Sequence, residues 1–298
     1  MNVVDLFSGI GGFSLGLQNA GMNTVAFCEI DKYQQTVLNK HWPDVRVYDD
    51  IRKLTGDMLR ENHEPIDVFC GGFPCTDISF AGKHDGGLEG EQSGLWYEYK
   101  RLINEYRPAY AIVENVSALR SRGLEKVLQD FAEIGYDAAW TMLDSQYFGV
   151  PQRRRRVYVV GVRDGITPNT DFFQLKERNQ NECKHEVELI NKSREWLLSE
   201  SDKQGEELAY FTKQSHGEYK TIGISATILK RDTADLISSK GNLRRVTPEE
   251  RMLLQGFPED WLIESTLKNM FTASGMTVPV VQYIGERIMN YNEYISVR

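Results

Sequence analysis

Three segments carry residue types whose spacing could do chemistry. The run Asp67 to Lys83 (DVFCGGFPCTDISFAGK) reads as a buried strand that ends in a polar loop, and Cys75 follows Pro74 in that loop, near glycines. A structural cysteine belongs inside an apolar element, as Cys70 is, so Cys75 is the one set out to react as a thiolate. The stretch AYAIVENV (Ala109 to Val116) delivers Glu114 and Asn115 directly after apolar residues. A carboxyl there is costly unless it has a partner or a task. YFGVPQRRRRVYVVG (Tyr147 to Gly161) sets four arginines ahead of an apolar run. If the strand includes them, alternate members such as Arg154 and Arg156 share one face. Such a run is most often a solvated charge cluster, and only the neighbouring motifs argue otherwise.

A fourth segment suggests a ligand. DLFSGIGGFSLG (Asp5 to Gly16) places Gly9, Gly11 and Gly12 between a strand and a helix, where backbone can approach a ligand at a helix N-terminus. Twenty positions after Gly9, Glu29 ends the next apolar strand, in the place where an acidic side chain accepts from ribose hydroxyls. A glycine turn alone is weak evidence. Together with Glu29 it points to a cofactor containing adenosine, either a dinucleotide or S-adenosylmethionine.

These residues need a scaffold that brings strand ends to one edge. The first half alternates short apolar runs with segments of helical period. Strands are expected at Val3–Phe7, Thr24–Ile30, Ile66–Cys70, Ala109–Glu114, Ala138–Leu143 and Val157–Val162. Helices are expected after the glycine turn and at Tyr33–Lys40, Leu95–Tyr106 and Leu124–Ile134. This is an α/β pattern, a doubly wound and mostly parallel sheet of Rossmann-like type, whose ligands bind at the carboxyl ends of the strands. After Arg163 the rhythm breaks. A helix is expected at Glu186–Leu198 and short β-prone pieces between Tyr210 and Leu243, so residues 165–244 form a smaller lobe beside a main domain of residues 1–164 and 245–298. Thr247, Pro248 and Glu250 spell a capping box that opens a helix, and a closing helix covers Val280 to Asn290.

Composition excludes several classes. With 41% apolar and 26% charged residues in 298, the chain fits one large core with an appended lobe. No window approaches 18 consecutive apolar residues and no leader opens the chain, so a cytoplasmic protein is expected. Cys28, Cys70, Cys75 and Cys183 show neither metal-ligand spacing nor a disulfide framework, and no metal is expected. The net charge of −8 sits in residues 1–150, with 13 basic against 22 acidic residues, whereas residues 151–298 have 22 against 21. Within residues 212–245 the count is 7 basic to 3 acidic, an excess that could face phosphates.

Taken in order, DLFSGIGGFSLG, GGFPCTDIS, ENV, QRRRR, RRVTPEERMLLQGFP and a closing Gly-x-x-V turn resemble the C5-cytosine DNA methyltransferase family. The resemblance covers residues 1–163 and 244–290, and in the lobe between them only SATIL (Ser225 to Leu229) looks like a family element. It implies methyl transfer from S-adenosylmethionine to C5 of a cytosine flipped out of double-stranded DNA. Cys75 would be the nucleophile, Glu114 would contact the N3 edge, Arg156 would hold O2 and Arg154 would support Glu114. Phe7, Gly9, Gly11, Gly12, Glu29, Asp50, Ile51, Pro74 and Leu95 would line the cofactor. The lobe at 165–244 would be the target-recognition domain. Ser79, Lys83, Lys230, Arg231, Arg244 and Arg245 are the candidates for DNA contact. Monomeric action is expected, because an asymmetric reaction on a single base needs no dimer, and a companion restriction endonuclease is a candidate functional partner. The sequence departs from the family at Thr76, where glutamine is frequent, and at Gly275-Met276, where Gly-Asn is usual and where Thr277 could compensate. An RNA cytosine-5 methyltransferase of the same fold, a silent DNA-binding partner and a dinucleotide oxidoreductase are the alternatives.

Overall fold

The computed structural model describes residues 1–74, 94–164, 209–214, 217–222, 225, 227, 236–239, 242–263 and 276–296. The expected helix at Glu186–Leu198 lies outside them. By its contacts the chain divides into two compact units. One comprises Met1–Leu143, Arg155–Gln174 and Val281–Arg298; the other comprises Asp144–Arg154 and Leu175–Val280. The second unit thus takes in stretches on both sides of residues 165–244.

The first unit is built on seven strands: β1 (Asn2–Leu6), β2 (Asn23–Cys28), β3 (Arg46–Tyr48), β4 (Val68–Gly71), β5 (Tyr110–Val116), β6 (Tyr136–Asp144) and β7 (Arg155–Arg163). Their order is β3-β2-β1-β4-β5-β7-β6. β3, β2, β1, β4 and β5 pair in parallel, and β7 pairs antiparallel to β5. The chain winds outward from β1 to β3, then returns to β4 on the other side of β1. That reversal falls at the carboxyl ends of β1 and β4, the place where open sheets of this kind bind their ligands. Val3, Val4, Val68, Phe69, Ala111, Ile112 and Val113 are all fully buried, as expected where helices cover both faces of a parallel sheet.

The elements expected within residues 1–163 are present, with β3, α3 (Gly56–Asn62) and the single turn α5 (Leu119–Arg122) in addition. α1 (Gly12–Asn19) follows the glycine turn. α2 (Lys32–His41) is capped by Asp31, whose side chain accepts from the Gln34 amide. α4 (Leu95–Tyr106) has the expected bounds, and α6 (Leu124–Glu133) follows α5. Trp96 on α4 is fully buried and its Nε1 donates to Asp130 Oδ2 on α6 at 2.8 Å, which fixes the helix that begins at Leu95.

In the second unit β8 (Ala209–Gln214), β9 (Gly217–Ile222), β10 (Leu236–Ser239) and β11 (Asn242–Arg245) form an antiparallel sheet in the order β11-β10-β8-β9. The capping box at Thr247 is formed as read, with Pro248 in the first turn of α7 (Pro248–Leu253). The closing helix α8 (Val278–Ser296), which from Val281 on belongs to the first unit, begins two residues earlier and runs six residues further than expected. Among the described residues no helix is long and apolar enough to cross a membrane, and no group of side chains could hold a metal ion.

Candidate active site

The glycine turn after β1 has a conformation that explains its composition. Gly9 and Gly11 lie at φ 58 and 86, in the left-handed region, and Phe7 shares it at φ 57. A Cβ on Gly11 would meet the Trp42 ring at 2.5 Å, so the position is closed by packing as well as by backbone. The turn is tied to the end of β2. Glu29 is 8% exposed, and its Oε2 accepts from the Gly9 amide at 2.7 Å while Oε1 accepts from the Asp31 amide at 2.8 Å. A carboxylate is thereby held beside the turn, at the strand end where ribose hydroxyls would need an acceptor.

The rest of the expected cofactor set lies on the same unit. After β3, Asp50 pairs with Arg52 at 2.8 Å, and the hydrogen bond from that guanidinium holds its carboxyl below the usual range. Ile51 is buried. Its carbonyl and that of Leu54 each accept from Arg101 Nη2 on α4 at 2.9 Å. Arg101 also pairs with Glu98 and Glu105, so it fastens the turn at 51–54 to the helix that starts at Leu95. Phe7 packs edge-on against Tyr99 of the same helix, with ring centroids 6.3 Å apart. These residues fit an adenosine-bearing donor. The glycine cradle leaves no room for a Cβ at Gly11, a buried carboxylate stands at the end of β2, and apolar groups flank the turn after β3.

A second group of residues gathers at the ends of β4 and β5. Gly71 runs so close to β1 that a Cβ would lie 2.2 Å from the Leu6 carbonyl oxygen. At Gly72 a Cβ would lie 2.8 Å from Glu114 Oε2, so the backbone that leads into Phe73-Pro74-Cys75 passes against the Glu114 carboxylate. Asn115 Nδ2 donates to the Phe73 carbonyl at 3.0 Å, and its Oδ1 accepts from the Val116 amide. Glu114 is 8% exposed and its Oε1 lies 3.2 Å from Arg156 Nε. The antiparallel register explains that pair. Glu114 stands opposite Tyr158 and Val116 opposite Arg156, which puts Arg156 diagonal to Glu114 on one face. Cys75, Ser79 and Lys83 lie outside the described residues. Cys28 and Cys70 are buried, and burial pushes the Cys28 thiol up to about 12 and raises that of Cys70 as well, so neither serves as a thiolate at neutral pH.

The remaining candidates belong to the second unit. Arg154 lies immediately before β7, which begins at Arg155. Arg154 is 6% exposed, and its amide donates to Asp144 Oδ1 and Ser145 Oγ, both at 3.1 Å. The chain before it is bridged to SATIL. Ser225 N donates to Pro151 O and Arg153 N to Ser225 O, each at 2.7 Å, and Thr227 Oγ1 donates to Arg153 O at 2.7 Å. Arg244 makes a two-pronged pair with Glu250, at 2.8 and 2.7 Å, and so closes the capping box of α7; Arg245 beside it is exposed. Lys230 and Arg231 lie outside the described residues. Met276 is buried, and the buried hydroxyl of Thr277 has no hydrogen-bond partner among the described residues.

Asn115, Gly72 and Arg101 were not singled out for these contacts by sequence reasoning. Asn115 carried a signal, since asparagine is depleted in strand interiors and this one sits inside β5.

Comparison with known proteins accords with this arrangement. The type II methyltransferase M1.ScrFI of Lactococcus lactis subsp. cremoris is 30% identical over 98% of this chain and 78% of its own length. The type II methyltransferase M.HhaI of Haemophilus parahaemolyticus is 27% identical over 99% of this chain and 97% of its own. Among solved structures, a putative DNA modification methyltransferase encoded within a prophage of E. coli superposes with a TM-score of 0.66 at 21% identity, covering 98% of this chain and 99% of that one, which is a likeness of fold. The family model for C-5 cytosine-specific DNA methylase matches residues 1–290, and the chain belongs to that family.

Proposed function

We propose that the chain methylates C5 of a cytosine flipped out of a short specific sequence in double-stranded DNA, with S-adenosylmethionine as donor and Cys75 as the covalent nucleophile. The observation that carries this reading is the constellation at the ends of β4 and β5. The Glu114 carboxylate is paired with Arg156 at 3.2 Å, with the Gly72 backbone against its other oxygen and Asn115 holding the carbonyl of Phe73, two residues before Cys75.

The chemistry divides among these groups. Cytosine C5 is a poor nucleophile until a thiolate adds at C6. In the proposed cycle Cys75 Sγ bonds to C6, the ring electrons move toward N3, and Glu114 gives N3 a proton, leaving an enamine that is nucleophilic at C5. Glu114 must carry a proton to do this, and Arg156 beside it orients the carboxyl and reaches the base O2. S-adenosylmethionine, when bound, supplies a methyl group on a sulfonium. Phe7, Gly9, Gly11, Gly12, Glu29, Asp50, Ile51, Pro74 and Leu95 would hold it, so that alignment is a large part of the catalysis. A water molecule takes the C5 proton as the Sγ–C6 bond breaks, which returns the thiolate and restores aromaticity, and N3 gives its proton back to Glu114. A base inside a duplex cannot be reached in this way, so flipping is required, at a cost of about a few kcal/mol.

Phosphate contacts from the target-recognition lobe and its basic residues Lys230, Arg231 and Arg245 would offset that cost. Monomeric action and a companion restriction endonuclease belong to the same proposal. Transfer of labelled methyl from S-adenosylmethionine to duplex DNA, mapped by bisulfite sequencing, tests it. Label at C5 of one cytosine context is expected, and label on transfer RNA with none on any DNA would overturn it.

A further inference from the structure

Asp5 stands where a strand flanked on both sides calls for an apolar residue. It is the fourth residue of β1, registered between Phe27 on β2 and Cys70 on β4, and it is fully buried. A carboxyl in that position is strongly unfavourable unless it is bonded. Its Oδ2 accepts from the Ser14 amide at 3.2 Å and from Ser14 Oγ at 2.8 Å. Among the described residues its Oδ1 finds no N–H or O–H donor, and the Cys70 thiol is beside the carboxyl. Burial pushes Asp5 up to about 8, with the bonds from Ser14 opposing the rise and Glu29 adding to it.

The contact with Ser14 has a specific meaning. Ser14 is the third residue of α1, and its amide is one of the first-turn donors that an N-cap side chain ordinarily satisfies. The N-cap of α1 is Gly11, which has no side chain, and any Cβ there would be strained by φ 86 and by the Trp42 ring 2.5 Å away. The cap is supplied instead from β1, nine residues before the amide it serves. The same strand end also holds the start of the turn, since Ser8 Oγ donates to the Asp5 carbonyl at 2.6 Å. Asp5 therefore grips the glycine turn at both ends.

We propose that Asp5 is a positioning residue for the methyl donor: by capping α1 from β1 it sets the geometry of the Gly9–Gly12 turn on which binding depends. The proposal rests on the reading that this turn holds S-adenosylmethionine. A purely structural role would affect folding and every ligand alike, whereas a positioning role affects the donor selectively.

Calorimetric titration of the full chain with S-adenosylmethionine, alongside duplex DNA binding without the donor, separates the two. Asp5→Leu removes the acceptor and should weaken donor binding at least tenfold while DNA binding stays within twofold. Asp5→Asn keeps an oxygen for the Ser14 amide and should restore donor affinity to within about threefold of the native chain. Ser14→Ala, which deletes only the 2.8 Å bond, should weaken the donor by threefold or more and serves if Asp5→Leu does not fold. Native donor affinity in Asp5→Leu or Ser14→Ala, equal losses in Asp5→Leu and Asp5→Asn, or equal losses of donor and DNA would overturn the proposal. If the native chain itself does not bind S-adenosylmethionine, the underlying reading falls instead.

Discussion

Two glycines at opposite ends of α1 allow the packing of the cofactor turn to be measured apart from its backbone conformation. Gly11, the N-cap, has φ 86, and Gly21, just past the C-terminus, has φ 87. Alanine at either position carries the left-handed penalty, about 1–2 kcal/mol. At Gly21 nothing lies within 4 Å of the place a Cβ would take, so that penalty is the whole effect. At Gly11 the same Cβ would lie 2.5 and 2.8 Å from two atoms of the Trp42 ring and 3.2 Å from Leu38 Cδ2. Trp42 has little freedom to retreat, because its ring packs on Phe27 with centroids 5.2 Å apart and its Nε1 donates to Gln18. Overpacking of that kind adds about 1–3 kcal/mol. Urea unfolding followed by circular dichroism should therefore show Gly11→Ala destabilised by about 1–3 kcal/mol more than Gly21→Ala, with similar slopes. Donor binding should fall at least tenfold in Gly11→Ala and stay native in Gly21→Ala. Equal unfolding midpoints for the two variants would refute the steric argument, and native donor affinity in Gly11→Ala would refute the role given to the turn.

Other consequences follow from the same contacts. Arg156→Met leaves the Glu114 carboxyl without its 3.2 Å partner, and single-turnover methylation should slow by a factor of about 100 or more, while donor affinity by calorimetry stays within threefold. Asn115→Ala frees the Phe73 carbonyl, so trapping of Cys75 by a mechanism-based inhibitor should slow at least tenfold with little change in donor affinity. The raised titration of Asp5, which faces Ser14, Glu29 and Cys70, predicts a pH signature. The folded chain keeps a proton on Asp5 up to about pH 8, whereas the unfolded chain loses it near 3.8, so this group's contribution is fully present below pH 3.8 and declines as pH rises to about 8. Unfolding free energies measured across that window should be flatter in Asp5→Asn than in the native chain, by up to about 1.4 kcal/mol per pH unit. Parallel curves for the two would contradict it.

Much of this was legible in the sequence because the informative signals are local. Apolar runs separated by helical periods give the parallel strands, and α4 has the bounds that its periodicity implied. Glycines between a strand and a helix mark the cofactor turn, and Glu29 ends the next strand. What was not legible depends on pairing across the sheet. The diagonal of Glu114 and Arg156 arises because β7 inserts antiparallel beside β5, and no local pattern near either residue encodes that register. The same holds for Arg154. The strand begins one residue after it, and nothing in the arginine run announces that its amide bonds to Asp144 and Ser145. Arg244, read as one of several basic residues that could face phosphate, is held by Glu250, a residue whose local role in the capping box was already plain. The cap from Asp5 to Ser14 was equally hidden, since a charged residue inside an apolar strand shows only that it needs a partner.

The covalent role of Cys75 is tested most directly with a duplex carrying 5-fluorocytosine at the methylated position, because fluorine blocks the final elimination. In the presence of S-adenosylmethionine the account predicts a protein–DNA adduct stable to denaturation, at one duplex per chain, with peptide mass spectrometry locating the bond at Cys75 and with Cys75→Ser forming none. An adduct that persists in Cys75→Ser, or the absence of any adduct on a duplex that the native chain methylates, would contradict it.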